Sequence, residues 1–114
     1  MAKKFFSILI IIVIIWIGFK KYNSNFSSEK WIENPNKRVN IVDDLLNEYK
    51  FIGKSKSEVI KLLGTPTEQA YFKEVNNIVY YLGDERGFIS IDSEWLVLDF
   101  DSLGKVTKYE IKTD

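Results

Sequence analysis

The residues of this chain that could do chemistry are mainly carboxylates, because the sequence contains no histidine and no cysteine. Without cysteine there is no thiolate nucleophile, no disulfide and no zinc–thiolate site. Without histidine the chain lacks the side chain that most often shuttles protons at neutral pH and binds transition metals. These two absences exclude most hydrolase sites, so we predict no catalytic residue, no cofactor and no enzymatic activity.

The segment from Asp99 to Glu110 matches most of a calcium-binding loop. Asp99, Asp101, Gly104 and Glu110 fit the pattern D-x-[DN]-x-[DN]-G-x₅-E. Leu103, however, stands where an oxygen ligand is required, and the flanking residues predict strands rather than helices. A β-turn that begins with aspartate and has glycine at its left-handed position explains the same residues. We therefore predict a turn and no metal site.

Two further motifs have explanations that need no catalysis. Ser102 and Lys105 spell S-x-x-K, which works in enzymes because one helical turn brings the amine beside the hydroxyl. Here the motif spans a predicted turn that contains glycine. The acidic residues of 84–85 and 92–94 lie in a predicted connection, where nothing indicates the burial that raises a carboxyl pKa. We interpret them as solvated surface charges.

An uncharged apolar run near the N-terminus indicates where the rest of the chain lies. It spans residues 5–19, reads FFSILIIIVIIWIGF and has a lysine pair on each side. As a helix it extends about 22 Å, less than the hydrocarbon thickness of about 30 Å, and snorkelling lysines and local thinning cover the difference. We predict a retained membrane anchor over residues 1–21, with a cleaved signal peptide as the alternative. The residues predicted to contact the membrane are Phe5, Ile10, Ile15, Trp16 and Phe19.

The distribution of charge bears on partners and orientation. Without the four lysines that flank the apolar run, 12 basic and 16 acidic side chains remain. An acidic domain is a poor candidate for nucleic acid, which requires clustered lysine and arginine. The two lysine pairs nearly cancel as a positive-inside signal, and the α-amino group favours a cytoplasmic N-terminus. We predict a single-pass protein of the bacterial cytoplasmic (inner) membrane with an extracytoplasmic C-terminal domain.

Residues 22–38 are predicted to form a flexible linker between the anchor and a domain over residues 39–114. The linker is rich in Asn, Ser, Lys and Glu and shows neither helical nor strand periodicity. Its apolar residues Phe26, Trp31 and Ile32 are unusual in a spacer. They could dock on the domain, enter the lipid interface or contact a partner.

Two helices are predicted at the start of the domain. Apolar residues recur at helical spacing over 41–49, with Asn40 as a candidate N-cap. The second helix has both ends marked, by an S-x-x-E capping box at 55–58 and by a glycine followed by proline at 64–66. The residues predicted to define the fold are Gly53, Ser55, Glu58, Gly64, Pro66 and Gly104.

The remainder of the domain is predicted to be a three-stranded antiparallel sheet. Apolar residues alternate over 78–82, 95–100 and 106–111. Residues 83–94 would be a long connection with an irregular strand near its middle. Together these elements predict a two-layer α+β domain of order ααβββ, with the two helices packed on the sheet.

The second face of this sheet is a candidate surface for a protein partner. The two helices can cover only one face, and an exposed stripe with tryptophan and tyrosine is typical of interfaces. Alternatively, the linker or the connection over 83–94 folds over this face. The candidate partner-binding residues are Val79, Tyr81, Trp95 and Val97.

At this point the sequence resembles a known family. The residues that carry the resemblance are Ile52–Val59, Leu62–Pro66, Tyr80–Leu82, Leu96–Asp101 and Gly104–Tyr109. Over about residues 45–112 the chain is similar to the BamE family of small envelope lipoprotein domains, also called SmpA/OmlA. The resemblance implies a structural module that faces the periplasm, binds other envelope proteins and stabilises an assembly complex. Family members are typically held by a lipidated cysteine, whereas this chain offers a membrane helix.

We therefore expect a membrane-anchored, non-enzymatic extracytoplasmic protein-interaction module, of the kind that serves as an assembly or scaffold factor of the cell envelope. Its expected partners are the lipid bilayer and an envelope protein. The alternative is a tethered sensor or inhibitor domain that binds a small ligand or peptide between the helices and the sheet. The sequence leaves the oligomeric state open.

Overall fold

The computed structural model describes the backbone of residues 2–114 and the side chains of residues 7–17 and 24–114. These residues form an α+β fold with a three-stranded antiparallel sheet in the order β1–β2–β3, as predicted. The helical elements are α1 (Ala2–Ser24), α2 (Ser28–Glu33), a 3₁₀ turn (Arg38–Asn40), α3 (Val42–Glu48) and α4 (Lys56–Leu63). The strands are β1 (Asn77–Asp84), β2 (Ser93–Phe100) and β3 (Val106–Thr113).

Helix α1 presents apolar side chains to its surroundings along the part whose side chains are described. Every side chain from Ile8 to Ile17 is between 45% and 65% exposed, including Ile10, Ile15 and Trp16. The side chains of Phe5 and Phe19 lie outside the described residues. Over the part of the chain that is described, no helix combines the length and the apolar character required to cross a membrane.

The structure corrects the prediction of a flexible linker over residues 22–38. Helix α2 lies inside this segment, and Trp31 on α2 is completely buried in the core. Phe26 is also buried, and its backbone N–H donates to the Asp44 carboxylate at 2.6 Å. Ile32, the third apolar residue of the segment, is half exposed. Three alternatives were considered for these residues. The structure has Phe26 and Trp31 docked on the domain.

Helix α4 has the predicted capping box and the predicted glycine stop. The Ser55 hydroxyl accepts from the Glu58 N–H at 3.2 Å, and the Glu58 carboxylate accepts from the Ser55 N–H at 3.4 Å. Gly64 ends the helix at φ +78°, a left-handed conformation that glycine adopts without strain. Helix α3 is one residue shorter than predicted at each end, because Ile41 and Tyr49 have non-helical backbone conformations, and a 3₁₀ turn precedes it. Asn40 therefore belongs to that turn, and Ile41 takes the N-cap position without a side-chain hydrogen bond.

The core lies between the helices and one face of the sheet. In the register, Tyr80 pairs with Leu96 and Leu98 pairs with Tyr109. These residues share the inner face, which confirms the predicted inward faces of the first two strands. The buried core consists of Phe26, Trp31, Ile41, Val42, Leu45, Phe51, Val59, Leu63, Ile78, Tyr80, Leu82, Leu96, Leu98 and Val106.

The chain before α3 covers the free edge of β1 near its end. Arg38 donates from Nη1 to the Tyr81 carbonyl at 3.1 Å, and Lys37 forms an isolated β-bridge with Gly83. Gly83 has φ +127° beside a bulge in the β1–β2 pairing, and a Cβ there would collide with the Asn36 carbonyl oxygen. This close approach requires glycine.

Candidate interaction surface

The four residues predicted to bind a partner lie together on the outer face of the sheet, away from the helices. Val79 pairs with Val97 and Tyr81 pairs with Trp95, whose rings meet edge to face at 5.1 Å. Val79 and Val97 are buried, while Tyr81 and Trp95 are half buried. The two valines are therefore closed to a partner, which corrects the prediction for them.

The segment that joins α4 to β1 covers this outer face. At the edge of β1, the Thr67 N–H donates to the Val79 carbonyl at 2.8 Å, and the Thr67 hydroxyl accepts from the Tyr81 N–H at 3.1 Å. Phe72 lies at the opposite edge of the same face, with its ring centre 5.1 Å from the ammonium of Lys112, the β3 residue that pairs with Trp95. The segment thus crosses the face from β1 to β3. The cover is intramolecular, but it comes from neither of the two segments that the sequence suggested.

In the turn after β2, the Asp101 carboxylate stabilises the turn by accepting backbone hydrogen bonds. One carboxylate oxygen of Asp101 accepts from the N–H groups of Leu103 and Lys105 at 2.9 and 3.0 Å. Such bonds from an aspartate to the following backbone are typical of an Asx-turn. Among the described residues, no group of three acidic side chains is placed to hold a metal ion.

Glu94 is not the solvated surface charge that the sequence predicted. It is buried at the start of β2, and its carboxylate accepts from Arg86 Nη2 at 2.8 Å and from the Arg86 N–H at 2.7 Å. Arg86 also contacts the Asp43 carboxylate on α3 at 2.9 Å. The hydrogen bonds from Arg86 lower the pKa of Glu94, and those to Glu94 raise the pKa of Arg86. This trio ties the connection between β1 and β2 to the helical layer.

Residues 85–92, which we call the β1–β2 loop, have a closed neck. The Glu85 N–H donates to the Asp92 carbonyl at 2.8 Å, and the Ser90 hydroxyl donates to the Glu85 carbonyl at 2.6 Å. Together with the contacts of Arg86, these bonds hold the base of the loop. The irregular strand expected in this connection does not form, because the loop bonds across its own neck instead of joining a ladder.

Three large apolar side chains extend into solvent from this loop, and we call them the apolar tip. Phe88 is fully exposed, and Ile89 and Ile91 are 65% and 82% exposed. Isolated exposed apolar residues are common on protein surfaces and require no explanation. Three of them together on a loop with a fixed neck form a patch, and a preorganised patch loses little conformational entropy on binding.

Acidic side chains surround the apolar tip. Asp84 and Asp92 are exposed and Glu85 is partly exposed at the neck. The nearby cation, Arg86, is already bound to Glu94 and Asp43. An apolar surface with an acidic rim is complementary to an apolar groove that carries basic groups.

A separate groove of about 400 Å³ opens among the helices, lined by Ser28, Tyr49, Lys54, Glu58, Lys61 and Leu62. Lys54 and Lys61 form no ion pair with any described residue. Glu58 is held by Ser55, whose hydrogen bonds lower the pKa of the Glu58 carboxyl. The alternative prediction placed a ligand groove between helices and sheet, but the core fills that space.

No family model, no curated protein and no solved structure matches this chain. The resemblance to the BamE family stays a prediction. The case for an interaction surface is made from the exposure and contacts of this chain's residues alone. Sequence reasoning missed the apolar tip. A signal for it was present, since Phe88, Ile89 and Ile91 stand in a predicted connection where polar residues are usual.

Proposed function

We propose that this chain is a membrane-anchored, non-enzymatic protein-interaction module whose apolar tip contacts a protein partner in the cell envelope. The observation that carries the proposal is the exposure of Phe88, Ile89 and Ile91 on a loop with a closed neck. Aromatic and apolar anchors of this kind supply most of the binding energy at protein interfaces. In water they offer the chain no stabilisation.

The apolar run of α1 supports the membrane part of this proposal. Residues 8–17 expose apolar side chains on all sides, and lysine pairs flank the run in the sequence. Three residues, 25–27, join α1 to α2 and span at most about 10 Å. With α1 in the cytoplasmic membrane, the domain would therefore lie beside the headgroups, on the extracytoplasmic side.

The charges around the apolar tip favour a protein over a lipid surface as its partner. Asp84, Glu85 and Asp92 stand at the neck of the loop. Bacterial membranes carry anionic lipids, which attract polybasic segments and repel acidic ones. A protein groove with basic groups would satisfy both the apolar tip and its rim.

Photo-crosslinking from the tip tests the proposal. A photoreactive amino acid replaces Phe88 in the full chain, expressed in its native membranes, and Leu103 serves as the control position. Leu103 is 82% exposed on the β2–β3 turn, so it matches the tip in exposure and apolar character. We expect a discrete protein adduct at position 88 that is absent at 103. Equal labelling at both positions would show that the tip has no specific partner.

Two measurements test the location of the chain. After carbonate extraction of membranes, the full chain is expected in the pellet. A C-terminal tag on intact spheroplasts is expected to be cut by added protease, since the domain is proposed to lie outside. A protected tag would contradict this orientation.

The groove among the helices favours a second candidate function, a tethered domain that binds a small ligand or peptide. The supporting observations are its volume of about 400 Å³ and its two lysines, which pair with no acidic side chain in the described part of the chain. Purification from detergent-solubilised membranes separates the two functions. A stable protein partner supports the first, and a lone monomer with a bound small molecule supports the second.

A further inference from the structure

Helix α3 connects the apolar tip and the groove. Near its start, Asp43 binds Arg86 at the neck of the β1–β2 loop. At its end, Tyr49 lines the groove. Seven helical residues extend about 10 Å. The apolar tip and the groove are therefore attached to opposite ends of one short helix.

The same helix and its C-cap residue Tyr49 also contact Phe26, two residues after the end of α1. The Phe26 N–H donates to Asp44, and the Phe26 ring meets the Tyr49 ring edge to face at 5.6 Å. Both surfaces are thus attached close to the point where the anchor joins the domain. In every copy, the neck of the tip and the groove would therefore be attached within about the length of α3 from this junction.

The two surfaces are complementary in chemistry. The tip is apolar, and its acidic rim consists of Asp84, Glu85 and Asp92. The groove has an apolar wall from Tyr49 and Leu62 and two ammonium groups, from Lys54 and Lys61, without ion pairs among the described residues. It also holds one carboxylate, Glu58, which accepts from the Ser55 hydroxyl, so the charges that line the groove sum to a net positive value. Within one copy, the neck of the loop is bound to the start of α3 and the groove lies at its end, so the tip is held away from the groove of the same copy.

We propose that the apolar tip of one copy docks in the groove of the next copy, so that the partner in the proposed function is a second copy of this chain. The inference rests on that function, since it requires a membrane anchor and a binding role for the tip. The contact is heterologous, because tip meets groove, and it produces rows or closed rings rather than two-fold dimers. Confinement to one membrane raises the effective concentration, so that a small contact suffices.

Disulfide trapping tests this contact, and the natural chain lacks cysteine, so introduced thiols are the only ones present. One full-length variant carries Ile89→Cys on the tip, and a second carries Ser28→Cys in the groove. The two are reconstituted together in phosphatidylcholine vesicles and mildly oxidised. We expect the disulfide between the two variants to exceed the self-disulfide of either variant several-fold, because only tip and groove bring two Cα atoms within the required 4.4–6.8 Å. A self-disulfide of Ile89→Cys that is equally abundant would overturn the head-to-tail contact, and so would the absence of any disulfide.

Charge reversal provides the second arm. Lys54→Glu with Lys61→Glu in the groove copy should lower the trapped fraction roughly tenfold, because two attractive pairs become repulsive. Asp84→Lys with Asp92→Lys in the tip copy should restore it. The matched control compares two single reversals: Lys61→Glu in the groove should lower trapping, whereas Lys108→Glu, at a lysine on β3 that is 64% exposed and does not line the groove, should leave trapping unchanged. An equal loss in the control would reject the docking geometry. Should the reversed groove fail to fold, the comparison of the two cysteine positions still decides.

The outcome can be separated from that of the proposed function. The vesicles contain only this chain, whereas crosslinking from position 88 in native membranes samples every envelope protein. No disulfide in vesicles together with an adduct to a different protein would reject self-docking and keep the proposed function. Failure of both measurements would reject both.

Discussion

Replacing Trp31 with alanine tests whether the segment after α1 belongs to the folded domain. A buried aromatic side chain removes 150–250 Å² from water, which is worth about 4–6 kcal/mol at 25 cal/mol per Å². The indole Nε1 of Trp31 is buried and has no hydrogen-bond partner among the residues that the structure describes, which offsets about 1–3 kcal/mol of that gain. We therefore expect Trp31→Ala to lower the free energy of unfolding by about 3 kcal/mol. This is a large fraction of the 5–15 kcal/mol typical of a small domain.

The assay is urea unfolding of the full chain in non-ionic detergent, followed by near-ultraviolet circular dichroism. The matched control is Ile32→Ala, which lies next to Trp31 on α2 but is half exposed. We expect it to cost about 1 kcal/mol or less, since roughly half of its apolar surface is in water already. Equal and small losses for both variants would refute the docking of α2 and restore the interpretation of residues 22–38 as a flexible linker.

Two further predictions concern the ends of the β1–β2 connection. Gly83→Ala should lower the melting temperature more than Gly87→Ala. Both glycines have φ near +130°, so both substitutions strain the backbone. An added Cβ meets the Asn36 backbone at Gly83 but only open space at Gly87. Equal changes in melting temperature would contradict the close approach of Asn36 to Gly83. Glu94→Gln should cost about 1.5–3 kcal/mol at pH 7, because it removes charged hydrogen bonds with Arg86. Since the folded pKa of Glu94 lies below its unfolded value of about 4.3, its contribution is present above that value and is lost as pH falls through the folded pKa. Thermal unfolding between pH 7 and pH 3 should show the two proteins converge in acid, and a constant difference would contradict the ion pair.

Helix α4 and the three strands could be predicted because their signals are local. The capping box joins Ser55 to Glu58 within one helical turn, and the stop at Gly64 lies one residue beyond the helix. Strand alternation likewise needs only neighbouring residues. The hairpin turn after β2 is closed by Asp101 and the residues up to Lys105, all within five positions of sequence.

The elements that sequence reasoning missed depend on contacts between distant residues. Helix α2 is six residues long, too short for a periodic signal, and burial of Trp31 holds it in place. The cover of the outer face requires Phe72 at φ +68°, a conformation that non-glycine residues rarely adopt. The position of the apolar tip depends on Arg86, whose partner Asp43 is 43 residues away in sequence. The exposed apolar residues 88, 89 and 91 could be read from the sequence, but no local pattern indicates the contacts that hold these three arrangements in place.

The docked segment changes what α1, as the proposed membrane anchor, would do for the domain. A flexible linker would let the domain sample a wide volume above the membrane and present any surface to a partner. Instead, Trp31 is buried, and Arg38 links it to the sheet. Arg38 Nε donates to the Trp31 carbonyl at 2.7 Å, and Arg38 Nη1 donates to the Tyr81 carbonyl on β1 at 3.1 Å. Burial lowers the pKa of Arg38, because desolvation disfavours the charged guanidinium. Because only residues 25–27 separate this packed segment from α1, a partner in the same membrane would meet surfaces close to the junction. This geometry favours contacts within the membrane plane, such as the one proposed between the tip and the groove.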